Sequence, residues 1–469
     1  MQTERGDNKS TYIFIACVFV FYMAWMLVQP FGVAPDETMR YDIPMYIYKY
    51  GLLPRGDDPL LIDNAWGLSY AFFPILSYMV SALFMKVVSF FTLDPAALLM
   101  AARFFSLLCG VGTAYMSLKI GRKLFGKRMG LLFAVFVAFL PQNAFVSSYV
   151  NNDALAIFST SLIVWFWIRG IEDKWSIRTC VGLAVSISIC ALSYYNAYGH
   201  ILCSIILFFA TNKTGDNKTG DGSLSSPLKS RVLPFEAKPE DREPSPVLSL
   251  VKKTALIVGI VFLLAGWWFI RNAILYNGDF LGMATSDACA EAHAWPEVRP
   301  SALSTPMSQG MSIFDMLFKT TWLPVVATSF IGRFGGMDVK LPIWMYVVGG
   351  VFLLVGLILF VVKKRSIFKD KLPWIMLLAL LIPNILNAYN SYANDYQPQG
   401  RYSLPMIIPF FYFITMGFQG ILGDDGEKHE KALKIIMVSY IIFALLAYFL
   451  AFLPAYAGKD MFYLAAPRF

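Results

Sequence analysis

In this 469-residue chain the residues able to do chemistry are few, and they stand at the ends of apolar runs. Ala34-Pro35-Asp36-Glu37 follows directly on the first run, and Pro35 stiffens the exit. Two adjacent carboxylates at a hydrocarbon boundary lose solvation, which raises pKa and suits a general base. The plainer reading is that they cap a helix over 38–50, since acids are favoured at helix N-termini. Asn151-Asn152-Asp153 opens a later run. There Asp153 is either the N-cap of 154–169 or a second carboxylate facing Asp36 across one cavity. Such a pair could orient a hydroxyl nucleophile or hold a divalent cation through oxygen ligands. Asp36 and Asp153 are therefore the metal-ligand candidates, although nothing in the sequence demands a cofactor.

Two arginines repeat the pattern. Trp267-Trp268-Phe269-Ile270-Arg271-Asn272 closes one run and Gln399-Gly400-Arg401-Tyr402 opens another. An arginine so placed either snorkels to headgroups or offers its planar fork to phosphate. Arg401 suits the second role, because 387–402 is polar yet carries a single basic residue. The histidines form no metal motif; His293, with Asp287, Glu291 and Glu297, makes a loose acidic group at most. No H-E-x-x-H, Walker loop, G-x-G-x-x-G or G-x-S-x-G occurs, so nucleotide-driven transport and serine hydrolysis lack their parts.

The elements that must position these residues are membrane spans. Hydrophobic residues make up 57% of the chain and charged ones 15%, against about 45–50% and about 25% in a soluble domain. Apolar runs of about 18–25 residues match a ~30 Å hydrocarbon core. These features exclude a soluble enzyme, a secreted scaffold and a nucleic-acid-binding domain. The net charge of +8 falls in short loops and reads as the positive-inside signature. Five of the six cysteines read as small buried apolar side chains, and Cys289 as an unpaired loop thiol. The expected architecture is an all-α polytopic membrane protein with about 11 transmembrane helices, at 11–33, 96–118, 130–148, 153–169, 178–194, 197–211, 254–275, 341–362, 372–389, 403–421 and 433–453. The stretch 66–91 reads as re-entrant or interfacial, because that choice puts every strongly basic loop in the cytoplasm. An N-terminal catalytic module (1–211, with first external loop 34–65) and a C-terminal module (254–469, with external loops 276–340 and 388–402) then flank a disordered cytoplasmic linker, 212–253.

The ordered set of motifs resembles the GT-C membrane glycosyltransferases, among them the protein O-mannosyltransferases and the lipid A aminoarabinose transferase. It comprises Asp36-Glu37, the re-entrant stretch, an Arg-led span (Arg103), Asn151-Asn152-Asp153, Trp267 to Asn272 and Gln399 to Tyr402. The resemblance implies a helical bundle with an external cavity, and transfer of a sugar from a polyprenyl-phosphate donor to an acceptor, usually with inversion. It implies Asp36 as general base, Glu37 and Asp153 as the other acidic catalytic positions, and Arg401 as the cation beside the departing phosphate. Arg271 and Arg40 are further phosphate candidates, and Asn152 and Tyr402 are substrate-binding ones. Relatives often carry His three residues after the Glu, where this chain has Arg40. The implied partners are the lipid-linked donor, a lipid, glycan or protein acceptor, and membrane lipids. The implied place is a bacterial inner membrane with the site outside. A secondary transporter or flippase of a lipid-linked or anionic substrate is the alternative from another class, although no internal repeat is visible. A non-enzymatic envelope scaffold is a third.

Overall fold

The computed structural model describes residues 2–212, 246–363, 365–426 and 429–468. Most of the expected linker lies outside the described residues, and its last residues, from 246, are already helical. The N-terminal half runs through α1 (Gln2–Val28), α2 (Glu37–Tyr50), α3 (Leu76–Val88), α4 (Pro95–Phe125), α5 (Lys127–Ala138), α6 (Pro141–Val146), α7 (Asp153–Glu172), α8 (Ile177–Ala191) and α9 (Gly199–Thr211). The C-terminal half continues with α10 (Pro246–Leu275), α11 (Met283–His293), α12 (Ile313–Lys319) and α13 (Trp322–Gly332). A two-residue hairpin, β1 (Arg333–Phe334) and β2 (Val339–Lys340), leads into α14 (Ile343–Lys363), α15 (Lys371–Ala393), α16 (Ile407–Leu422), α17 (Glu430–Ala447) and α18 (Leu453–Tyr456).

The chain is an all-α membrane protein. Among the described residues, eight helical segments are long and apolar enough to cross a membrane: Lys9–Val28, Pro95–Phe125, Asp153–Glu172, Val247–Leu275, Ile343–Lys363, Lys371–Ala393, Gly400–Leu422 and Glu430–Tyr456. The other expected spans are shorter. The run 130–148 breaks at Pro141 into α5 and α6, because proline supplies no N–H to the helix ladder and clashes with the preceding turn. The runs at 178–194 and 197–211 become the 15-residue α8 and the 13-residue α9. In the stretch 66–91 only α3 is a full helix. Its 13 residues reach roughly 20 Å at 1.5 Å per residue, short of the ~30 Å hydrocarbon core.

Aromatic packing joins the two ends of the chain around the last turn of α1. Trp25 is fully buried, with ring centroids 4.9 Å from Phe334 and 4.3 Å from Phe452. Beyond α18 the chain folds back over the exit of α1, where Phe31 N donates to Met461 O at 2.7 Å. All six cysteines are free; Cys17 is exposed on α1, a departure from the buried setting expected of it.

Candidate active site

The site begins with a backbone oddity. Asp36 occupies the N-cap position of α2, but in the left-handed conformation at φ 61°, and its side chain makes no cap hydrogen bond. A non-glycine residue there costs about 1–3 kcal/mol and persists only where its surroundings hold it. Capping therefore does not account for its side chain. Its Oδ2 instead accepts a hydrogen bond from Arg401 Nη2 at 3.0 Å and lies 3.6 Å from Arg40 Nη2. The side chain keeps 28% of its surface exposed. Burial pushes the carboxyl pKa up, as expected of a carboxylate near hydrocarbon, but Arg401 and then Arg40 outweigh it and the net shift is downward. The raised pKa expected from desolvation alone is thus reversed by two cations, one a helical turn away and the other 365 residues distant.

Arg40 lies one helical turn after Asp36 and is fully buried. Its Nη1 donates to Asp153 Oδ2 at 2.8 Å and to Asn152 Oδ1 at 3.1 Å. Its guanidinium sits 4.5 Å from the centre of the Tyr70 ring, within cation–π range. One guanidinium thus bridges Asp36 and Asp153. Asp153 is the first residue of α7, but the Ala154 N–H is taken by Asn151 Oδ1 at 2.8 Å, so Asn151 does the capping. Asp153 Oδ1 has no hydrogen-bond partner although buried.

Arg401 arrives on a 3₁₀ segment, Gly400–Met406. Gly400 packs directly on the α13 backbone, where a Cβ would lie 2.2 Å from Phe330 N. Arg401 also donates to the Tyr402 hydroxyl at 3.0 Å, which in turn donates to Gln397 Oε1 at 2.6 Å. Its Nε and Nη1 are buried without a hydrogen-bond acceptor, as is Arg40 Nε. Unpaired buried guanidinium N–H groups are costly, and their grouping beside one partly exposed carboxylate suits an anionic ligand.

Glu37 is held elsewhere. Both oxygens are bound by Arg103, with Nε to Oε1 and Nη2 to Oε2 each at 2.7 Å, and both residues are fully buried. The N–H groups of Val150 and Gly32 complete the carboxylate at 3.1 and 3.3 Å. Glu37 therefore ties α2 to α4, and through Val150 to the approach of α7. Arg271 is also placed apart from the Asp36 group: its Nη2 donates to Pro54 O at 2.7 Å and its guanidinium lies 5.1 Å from the Trp268 ring centre. The structure thus brings together Asp36, Arg40, Asn152, Asp153, Arg401 and Tyr402. Sequence reading passed over Tyr70, Gln397 and the pairing role of Arg103. An arginine inside an apolar span needs a buried partner, and that need was the available signal for the last of these.

The carboxylates do not fit a divalent cation. Arg40 already occupies the space between Asp36 and Asp153, so a metal ion there would face two guanidinium groups. Among the described residues no group of three or more His, Cys, Asp or Glu could hold one. Near His293, Glu291 is engaged by Ser301.

A family model described as a predicted membrane protein (DUF2142) matches residues 64–409. The chain belongs to this family. Arg103, Asp153 and Arg401 lie within the matched segment; Asp36, Glu37 and Arg40 precede it. No curated protein matches this DUF2142 chain in sequence. Among solved structures, ArnT from Cupriavidus metallidurans bound to undecaprenyl phosphate superposes with a TM-score of 0.53 at 12% identity, over 90% of this chain and 63% of that one. The Archaeoglobus fulgidus oligosaccharyltransferase tethered to an acceptor peptide gives 0.52 at 13% identity, over 94% and 54%. The oligosaccharyltransferase AglB from Archaeoglobus fulgidus, in complex with an inhibitory peptide and a dolichol-phosphate, gives 0.50 at 13%, over 94% and 54%. The chain spans less than two thirds of the length of these structures. The likeness is one of fold, shared with ArnT and with the archaeal oligosaccharyltransferase.

Proposed function

We propose that this protein is a glycosyltransferase that moves a sugar from a polyprenyl-phosphate donor to an acceptor hydroxyl on the external face of a bacterial inner membrane. The observation that carries the reading is the meeting of Asp36 with Arg40 and Arg401, the latter with two unpartnered buried nitrogens. Undecaprenyl phosphate on one structure of the same fold and dolichol-phosphate on another support a lipid-phosphate donor. No nucleotide-binding motif is needed for such a donor, and nucleic acid has no place in the reading.

The chemistry follows from the pairs. The donor phosphate takes the free Nε and Nη1 of Arg401, and draws its Nη2 away from Asp36. Asp36 then loses the larger of the two charges holding its pKa down, and becomes more basic as the acceptor arrives. It removes the acceptor proton; the acceptor oxygen bonds to the anomeric carbon; the bond from that carbon to phosphate oxygen breaks, and its electron pair leaves with the lipid phosphate. Configuration inverts. Arg401 offsets the charge on the leaving group, Arg40 keeps Asp153 and Asn152 in place, and Glu37 positions α2 rather than touching substrate. No step requires a metal ion.

The deciding experiment is transfer by the purified protein from radiolabelled polyprenyl-phosphate sugars to a membrane-extract acceptor, wild type against Asp36→Asn. Transfer lost in the variant supports the reading. Equal transfer in both rejects Asp36 as the base, and failure of the wild type to bind any lipid-phosphate sugar rejects the enzyme class.

A further inference from the structure

The hairpin after α13 sets two cations side by side, since Arg333 is the cross-strand partner of Lys340. Such partners share one face of the ribbon with Cβ atoms about 4.5–5.5 Å apart, and like charges there repel. The next residue, Phe334, is fully buried against Trp25 and Phe452, so Arg333 and Lys340 turn away from the core. Among the described residues neither has an acidic partner, and Arg333 Nε is shielded without an acceptor. Asp338, the acid of the same hairpin, sits by Gly335 and the Tyr456 hydroxyl.

Beside this pair an apolar crevice of about 180 Å³ runs between α13, α14 and α17, walled by Leu140, Ile331, Phe352 and Phe443. Its upper edge is tied to the hairpin. Gln142 Oε1, two residues from Leu140, accepts the Arg333 N–H at 2.9 Å. The Tyr346 hydroxyl donates to Gly332 O at 2.8 Å and accepts from Leu341 N at 3.0 Å, with Arg333 beside it. One turn further on, Gly349 keeps the crevice open: a Cβ there would lie 3.2 Å from the Phe443 ring and 3.5 Å from Ile331. Two lining residues, Val348 and Ile435, are 52% and 65% exposed, so the crevice faces the bilayer. The close contact of Gly400 with Phe330 puts α13 between it and Arg401.

We propose that the hairpin and crevice form a seat for a bilayer phospholipid with an anionic headgroup. Arg333 and Lys340 hold the head, and one acyl chain lies along Gly349 between α14 and α17. A pair of unneutralised cations calls for net negative charge, which a zwitterionic headgroup does not supply. The wall of α13 assigns the seat to a resident lipid rather than to the sugar donor, and the inference is independent of the proposed reaction.

The test is native mass spectrometry of the full-length, delipidated protein titrated with phosphatidylglycerol, phosphatidylcholine or polyprenyl phosphate. One saturable copy of phosphatidylglycerol is expected, held at least about ten-fold more tightly than phosphatidylcholine, a gap a charged contact readily provides. Arg333→Gln with Lys340→Gln should remove that preference, Lys340→Arg should keep it, and Gly349→Leu should lower occupancy by filling the crevice. The double variant should melt no lower than wild type in lipid-free detergent, since the repulsion across the ribbon is gone. Equal binding of the two phospholipids, undiminished phosphatidylglycerol binding in both the double variant and Gly349→Leu, or displacement of phosphatidylglycerol by polyprenyl phosphate at equal concentration would each overturn the proposal.

Discussion

Replacing Glu37 by Gln tests whether the first loop depends on one buried ion pair. The amide keeps the shape of the carboxylate but exchanges an acceptor for an NH₂ group. In one orientation that group faces Arg103 Nε and the Val150 N–H; in the other it faces Arg103 Nη2 and the Gly32 N–H. Either way two donors meet a donor, and Arg103 keeps its charge with one neutral amide oxygen and backbone carbonyls for company, Gln29 O at 2.6 Å and Pro30 O at 3.1 Å among them. Stranding one member of a buried pair costs about 3–5 kcal/mol, and those carbonyls argue for the lower end. At ~1.4 kcal/mol per decade, roughly 3 kcal/mol multiplies the opening equilibrium of the loop about 100-fold. Amide hydrogen exchange reads this at Gly32 and Val150, whose N–H groups both end on Glu37. Exchange at both should accelerate by about two decades, while amides in the middle of α16 stay protected. Rates within about threefold of wild type at both amides would refute the assigned role of the pair.

Three further outcomes are expected. Asp36→Asn should lower transfer roughly 10²- to 10⁴-fold, the range for a lost general base; asparagine tolerates the left-handed conformation well, so any drop in melting temperature reports the missing charge beside Arg401 and Arg40. The pKa of Asp36 is lowered in the folded protein, so its stabilising ionised form is present above the unfolded value and is lost only as pH falls through the folded one; kcat/KM should hold across the ordinary carboxylate range, and in Arg401→Gln the acidic limb should move to higher pH, an unmoved limb counting against the pairing. Asp42 behaves in the opposite sense: burial raises its pKa to about 7 despite Arg468 nearby, so its contribution is complete below the unfolded value and lost as pH rises towards 7, and Asp42→Asn should out-melt wild type at pH 8 but not at pH 4.

The sequence was most legible where chemistry and span ends coincide. Asp36, Asp153 and Arg401 were each placed by type and position, and they meet although Asp36 and Arg401 are 365 residues apart. Arg40 was noticed as a departure from relatives, and its place between two carboxylates gives that departure a physical meaning. Pairing was not legible. Glu37 stands next to Asp36 in the chain, but a helix start turns successive side chains in different directions, and one carboxylate goes to Arg103 while the other goes to Arg401. Arg271 matched the pattern of a phosphate ligand equally well, yet Pro54 O lies within its reach. The break at Pro141 was hidden inside a run that is apolar on average despite Gln142 and Asn143, because mean hydropathy does not register a missing N–H.

The segment that folds back over the exit of α1 bears on how the protein is made. Phe31 waits for Met461, and Asp63 for Arg468. At about 5–20 residues per second of synthesis, the first loop spends roughly 20–90 seconds inserted but without the strand of chain that covers it. During that interval Glu37 and Arg103 can already find each other, since both precede residue 104, whereas Arg401 has not yet been made. Assembly is thus ordered by the ribosome: the Glu37–Arg103 pair is ready early, and the Asp36–Arg401 pair closes late.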